Sequence, residues 1–123
     1  MYLNTGTPSR PRFAPGITNA FQILDSRSGS GDFRPTFVDI DNDGDLDLFA
    51  ANESNNVIDY YQNQGSPASP VFAQAVSNPF GLDTPGGGVG LSIKFADIDN
   101  DGDLDLIILG GIRARICIQY WHS

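Results

Sequence analysis

Ten of the chain's 15 acidic residues fall in two nonapeptides, Asp39–Asp47 and Asp97–Asp105. Each places Asp at positions 1, 3, 5, 7 and 9 and Gly at position 6: Asp39, Asp41, Asp43, Asp45 and Asp47 around Gly44, then Asp97, Asp99, Asp101, Asp103 and Asp105 around Gly102. Alternate spacing lets carboxylates converge on one point while Ile40 and Asn42 face away. The glycine permits a sharp turn, and position 7 can offer its backbone carbonyl. Five carboxylates in nine residues repel one another unless a cation sits among them. Oxygen donors with no His or Cys nearby suit a hard cation, and a flexible, carboxylate-rich loop suits Ca2+ better than Mg2+. Paired carboxylates can also do general acid/base work, but even spacing within one loop serves a cation better. The expectation is two calcium ions per chain, one per loop, and no catalytic residues.

The residues after each loop decide between two calcium architectures. A helical calcium hand requires Glu at position 12 between amphipathic helices. Here position 12 is Ala50 or Ile108, and Asp47 and Asp105 are succeeded by Leu-Phe-Ala and Leu-Ile-Ile-Leu. Each loop is therefore expected to join two strands. Composition agrees: one Glu, one Lys and one Met stand against 14 Gly and 8 Pro, which speaks against a helical bundle. With 40% hydrophobic residues, the chain can bury a core, and an all-β fold is expected.

The sequence repeats. DIDNDGDLDL occurs at 39–48 and again at 97–106, an offset of 58, and Tyr2–Phe13 aligns with Tyr61–Phe72 at an offset of 59. The pairs Asn19/Asn78 and Phe21/Phe80 keep that second register. Two units account for nearly all of residues 1–123, which leaves no room for a second domain. Within a unit, strands are expected at Phe37-Val38, Leu46–Ala50, Val57–Tyr61 and Val71–Ala73, with turns at Asn52–Asn56 and Asn63–Pro67. Four-stranded antiparallel units at this spacing are the signature of propeller blades.

Outside the two nonapeptides the balance is five acids to seven bases. No basic stripe is present, so nucleic acid is not an expected partner. No run reaches the roughly 18 apolar residues of a membrane span. Met1–Phe13 lacks the basic-then-apolar pattern of a secretory leader, so any export signal is expected to lie outside this chain. Cys117 is alone, which excludes an internal disulfide and a CxxC zinc site; in a terminal apolar strand it is read as a buried Cys, and His122 as a frayed His, rather than as a thiol nucleophile and its partner. Gly86–Gly90 lacks the spacing of a phosphate loop. Tyr60, Tyr61, Tyr120 and Trp121 could stack on sugars, but sheet packing is the preferred reading.

The pattern Phe-x-Asp-Ile-Asp-x-Asp-Gly-Asp-Leu-Asp-Leu, followed by Tyr-x-Asn-x-Gly-[ST]-Pro…Phe, resembles the FG-GAP/VCBS repeat over essentially the entire chain. That family forms integrin-α-type β-propellers whose blades carry calcium in a strand-to-strand DxDxDGxxD loop. The resemblance implies side-chain ligands at Asp39, Asp41, Asp43 and Asp47 with the Asp45 carbonyl. In the second loop it implies Asp97, Asp99, Asp101 and Asp105 with the Asp103 carbonyl. It also implies a calcium-binding, non-catalytic module for adhesion or for binding a protein or carbohydrate ligand, at the cell surface or secreted; a purely structural repeat unit or a piece of a larger propeller is the alternative. Propellers have about 4–8 blades, so two blades are expected to complete a ring as a homo-oligomer, a trimer in preference to a tetramer. In that ring Arg12-Phe13-Ala14 is expected to serve as the neighbour's fourth strand.

Overall fold

The computed structural model describes residues 1–23, 33–53, 55–82, 84 and 90–110, together with the backbone of 115–119. The strands are β1 (Phe33–Val38), β2 (Asp47–Asn52), β3 (Val57–Tyr61), β4 (Val76–Ser77), β5 (Ser92–Ala96), β6 (Asp105–Gly110) and β7 (Arg115–Gln119), with a single 3-10 turn at Pro79–Gly81. They form two antiparallel sheets, ordered β1-β2-β3-β4 and β5-β6-β7. The all-β expectation holds, and no helix among the described residues is long and apolar enough to cross a membrane.

The repeat is visible in the register. Val38 pairs with Asp47 and Phe37 with Leu48; at the same places in the second sheet, Ala96 pairs with Asp105 and Phe95 with Leu106. Each acidic loop therefore joins the first two strands of its sheet, as expected. β2 is buried along its whole length because both of its faces are covered. Phe49 and Ala51 pack with Val38 and Ile58 against Leu91, Ile93, Leu106 and Ile108 of the second sheet. Leu48 and Ala50 point the other way, with Tyr61, against Ile23, Phe33 and Phe72. The Phe49 and Phe95 rings meet across the inter-sheet core at 4.8 Å, a separation at which aromatic pairs add to the burial itself.

Two expectations about strands are corrected. Val71–Ala73 is not the fourth strand. It runs back along Gln62–Gln64, with Gln64 N–H donating to Val71 O and Ala73 N–H to Gln62 O, both at 2.8 Å. Asn63 draws it there: its Oδ1 accepts the Gly65 and Val71 N–H groups, both at 3.0 Å, and so closes the hairpin. The fourth strand is Val76–Ser77, paired with Tyr60 and Asp59. Likewise, Arg12–Ala14 is already paired within its own N-terminal hairpin, through Thr5 N–H to Arg12 O and Ala14 N–H to Leu3 O. It is the counterpart of Val71–Ala73 rather than of the fourth strand. In the repeat register that place falls to Ile17, which exchanges backbone hydrogen bonds with Met1 as Val76 pairs with Tyr60. Among the described residues the second sheet has three strands rather than four.

Candidate metal centre

The two acidic loops have closely matching internal frameworks. The position-1 carboxylate spans the turn: Asp39 accepts the Asp43 and Gly44 N–H groups, one on each oxygen, both at 3.1 Å. Asp97 does the same for Asp101 and Gly102, again at 3.1 Å. The position-5 carboxylate accepts the position-7 N–H, Asp43 from Asp45 at 3.0 Å and Asp101 from Asp103 at 2.9 Å. Gly44 and Gly102 sit at φ of 95° and 98°, a backbone conformation in which a side chain is strained. Asn42 and Asn100 take left-handed φ of 58° and 62°, which asparagine tolerates better than most residues.

The backbone frame directs carboxylates at one another. Oxygens of Asp39, Asp41 and Asp43 lie within 4.8 Å of each other, as do oxygens of Asp97, Asp99 and Asp105. The two trios share positions 1 and 3 and differ in the third member, so together they use all four side-chain positions expected. At 4.8 Å, two like charges repel by about 1 kcal/mol in water and about 3.5 kcal/mol at an effective dielectric constant near 20. A divalent cation at the centre adds an attraction to each carboxylate that outweighs the repulsion between them.

Asp47 and Asp101 stand outside these trios. Asp101 accepts the Asp103 N–H, just as Asp43, which does belong to its trio, accepts that of Asp45. Asp47, only 1% exposed, turns toward β3 and the hairpin beyond it: Oδ1 accepts the Asn63 N–H at 2.7 Å and Oδ2 the Tyr60 hydroxyl at 3.2 Å. Asp45 offers more than the carbonyl expected of it. Its side chain is buried, with the Asn63 side chain as a hydrogen-bond partner, and its Oδ1 has no partner among the described residues. Asp103 is half-buried in the second loop.

Burial sets the electrostatics. It raises the Asp45 carboxyl above the ordinary range, helped by repulsion from Asp43, Asp41 and Asp39 and opposed by the Asn63 side chain. It raises the Asp47 carboxyl too, against the stabilising Asn63 N–H and Tyr60 hydroxyl. The Tyr60 phenol is pushed well above the usual tyrosine value by burial and then by Asp47. Both raised carboxyls face the inside of the fold, so the penalty falls on a negative charge that the chain alone leaves under-compensated.

Three residues missed by the sequence reading support the site. Asn63 holds Asp45 and Asp47, Tyr60 caps Asp47, and Gln62 donates to Asp41 Oδ2 at 3.4 Å. The signal for the first was present, since Asn4 and Asn63 open the same hairpin in both repeats. Asn4 Oδ1 likewise accepts the Gly6 and Arg12 N–H groups at 2.9 Å. Of the aromatics considered for stacking, Tyr60 packs its ring on Phe49 and Phe80 and Tyr61 is buried. Tyr120, Trp121, His122 and most of Gly86–Gly90 lie outside the described residues, as does the Cys117 side chain.

A family model described as an FG-GAP-like repeat matches residues 39–108, more than half of the chain. No curated protein and no solved structure matches it. The matched stretch opens on the first acidic loop, runs through the Asn63 hairpin and takes in the whole of the second loop. On that match, which joins the features that build the site, the chain belongs to the FG-GAP-like repeat family.

Proposed function

We propose that the chain is a calcium-stabilised, non-catalytic propeller module that binds a protein or carbohydrate ligand, and that its two sheets are blades of a ring. The observation that supports this best is the pair of carboxylate trios, each with oxygens inside 4.8 Å on a loop of nearly the same internal bonding. The donors are all oxygens and the loop is exposed on one side, which fits the larger, more flexible coordination of calcium. The buried Asp45 oxygen, without a partner among the described residues, adds negative charge beside the first trio. In this reading the ion is structural: it neutralises the loop and thereby braces the hairpin between the first two strands. In this reading the sites are of the extracellular type, with dissociation constants of about 10⁻⁴–10⁻³ M, and the module works outside the cytosol.

A ring of about 4–8 blades needs more than the two sheets described, and copies of this chain are the proposed source, three in preference to four. The second reading, a structural self-assembling unit with no ligand, is favoured by Tyr60 and Tyr61 being committed to packing rather than offered to a sugar.

Thermal denaturation with calcium and with chelator tests the metal reading. An ion held by the folded loop and not by the unfolded chain stabilises by about 2.7 kcal/mol per site at a hundredfold excess over its dissociation constant. The expected result is a clear rise in Tm with calcium and a smaller one with magnesium. Equal melting in calcium and chelator would overturn it.

A further inference from the structure

We propose that this chain associates with itself head to tail, using at each junction the interface that already joins its own two sheets. The inference rests on the propeller reading and identifies the surfaces and the residues that carry it.

Inside one chain, the second sheet gives Leu91, Ile93, Phe95, Leu104 and Leu106 to the interface, with Leu82 from the connection before it. Shifted by one repeat, the same places in the first sheet are Phe33, Pro35, Phe37, Leu46 and Leu48, with Ile23 before them. These residues line an apolar groove of about 530 Å³. Unlike their counterparts, Phe37 and Leu46 remain open, at 47% and 53% exposure. The first sheet thus presents a second copy of the surface that the second sheet uses; among the described residues Met1, Phe21 and Phe72 border it, and its outer part at Phe37 and Leu46 stays exposed.

The complementary surface is repeated as well. The first sheet meets the second with Val38, Phe49 and Ala51. Their repeat counterparts in the second sheet are Ala96, Ile107 and Leu109, on the face opposite Ile93 and Ile108. Ala96 and Leu109 are exposed and Ile107 is half-buried. Among the described residues, one copy therefore carries repeat counterparts of both sides of its own inter-sheet contact, the counterpart of Ile58 lying outside them. Seating the Ile107 face of one copy on the Phe37 groove of the next places Ile107 where Phe49 meets Phe95 within the chain. Isolated apolar faces of this kind are uncommon on a solitary monomer. The two halves differ, so the contact is heterologous and propagates until a ring closes.

Light scattering on the purified full chain in calcium buffer tests this with two single variants, Phe37→Asp in the groove and Leu109→Asp on the opposite face. The wild type is expected at no less than twice the 13.2 kDa chain mass. Each variant alone is expected at the monomer mass with the wild-type circular dichroism spectrum. Mixed together, they retain one intact groove and one intact opposing face, so they should form a dimer and go no further. Leu46→Asp replaces Phe37→Asp if the latter misfolds. A folded wild-type monomer overturns the proposal, as do variants that keep the wild-type mass or a mixture that stays monomeric. Calcium binding by the wild type, read separately by titration, tells failure of this interface from failure of the metal reading.

Discussion

The Asp47 carboxylate accepts the backbone N–H of Asn63 at 2.7 Å, tying the last residue of the acidic loop to the first residue of the Asn-x-Gly-Ser-Pro hairpin. Asp47 opens β2, and Asn63 lies just beyond the end of β3. One buried bond thus couples the loop, the two central strands and the hairpin. It explains why the acidic peptide and the Asn-x-Gly peptide belong to one structural unit although 16 positions separate the two residues.

That bond sets Asp47 apart from the three carboxylates of the first trio. Asp47→Ala leaves the buried Asn63 N–H without its acceptor and should cost about 1–3 kcal/mol even in chelator. Asp41→Ala removes an exposed carboxylate from a repelling trio and should cost nothing measurable in chelator while lowering stability in calcium. Urea denaturation of both variants in each buffer checks this; equal losses in chelator contradict it.

Two glycines should differ in kind. A Cβ on Gly65 would run into the Ser69 carbonyl oxygen and sit 2.7 Å from the Val71 nitrogen, whereas a Cβ on Gly44 would meet nothing within 4 Å. Gly65→Ala must therefore push the hairpin apart, at a cost of about 1–3 kcal/mol as for other overpacked sites. Gly44→Ala pays only for its left-handed backbone, about 1–2 kcal/mol. The larger drop in chelator-state Tm should be that of Gly65→Ala.

Acid should narrow the effect of calcium. Asp45 and Asp47 have folded-state pKa values raised by burial above the ordinary carboxylate value of about 4. Between that value and the raised one, the folded chain holds protons that the unfolded chain has released. Without metal, the contribution of these two groups to stability is therefore fully present below about pH 4 and is lost as pH rises through the raised pKa values. With calcium the same protons oppose the ion. The Tm difference between calcium and chelator should shrink as pH falls from 7 toward the ordinary carboxylate range; a constant difference contradicts the assignment.

The features legible in the sequence are those set by local peptides. The loops, their glycines and the strands either side of them follow from DIDNDGDLDL alone, because Asp39 and Asp97 satisfy the turn within five residues. The fourth strand was not legible. Val71–Ala73 has the composition of a strand, but Asn63 claims it for the hairpin, and the true strand, Val76–Ser77, is too short to show any alternation. The second role of Asp45 was hidden for a similar reason. Whether a loop carboxylate is buried depends on Asn63, which the hairpin brings in from 18 positions away.

The central claim is two calcium ions held by two loops, and calorimetric titration of the chelator-stripped chain tests it most directly. The account predicts a stoichiometry of two for the wild type, one for Asp41→Ala, one for Asp99→Ala and none for the double variant. A wild-type stoichiometry near zero, or an undiminished value in the double variant, contradicts it.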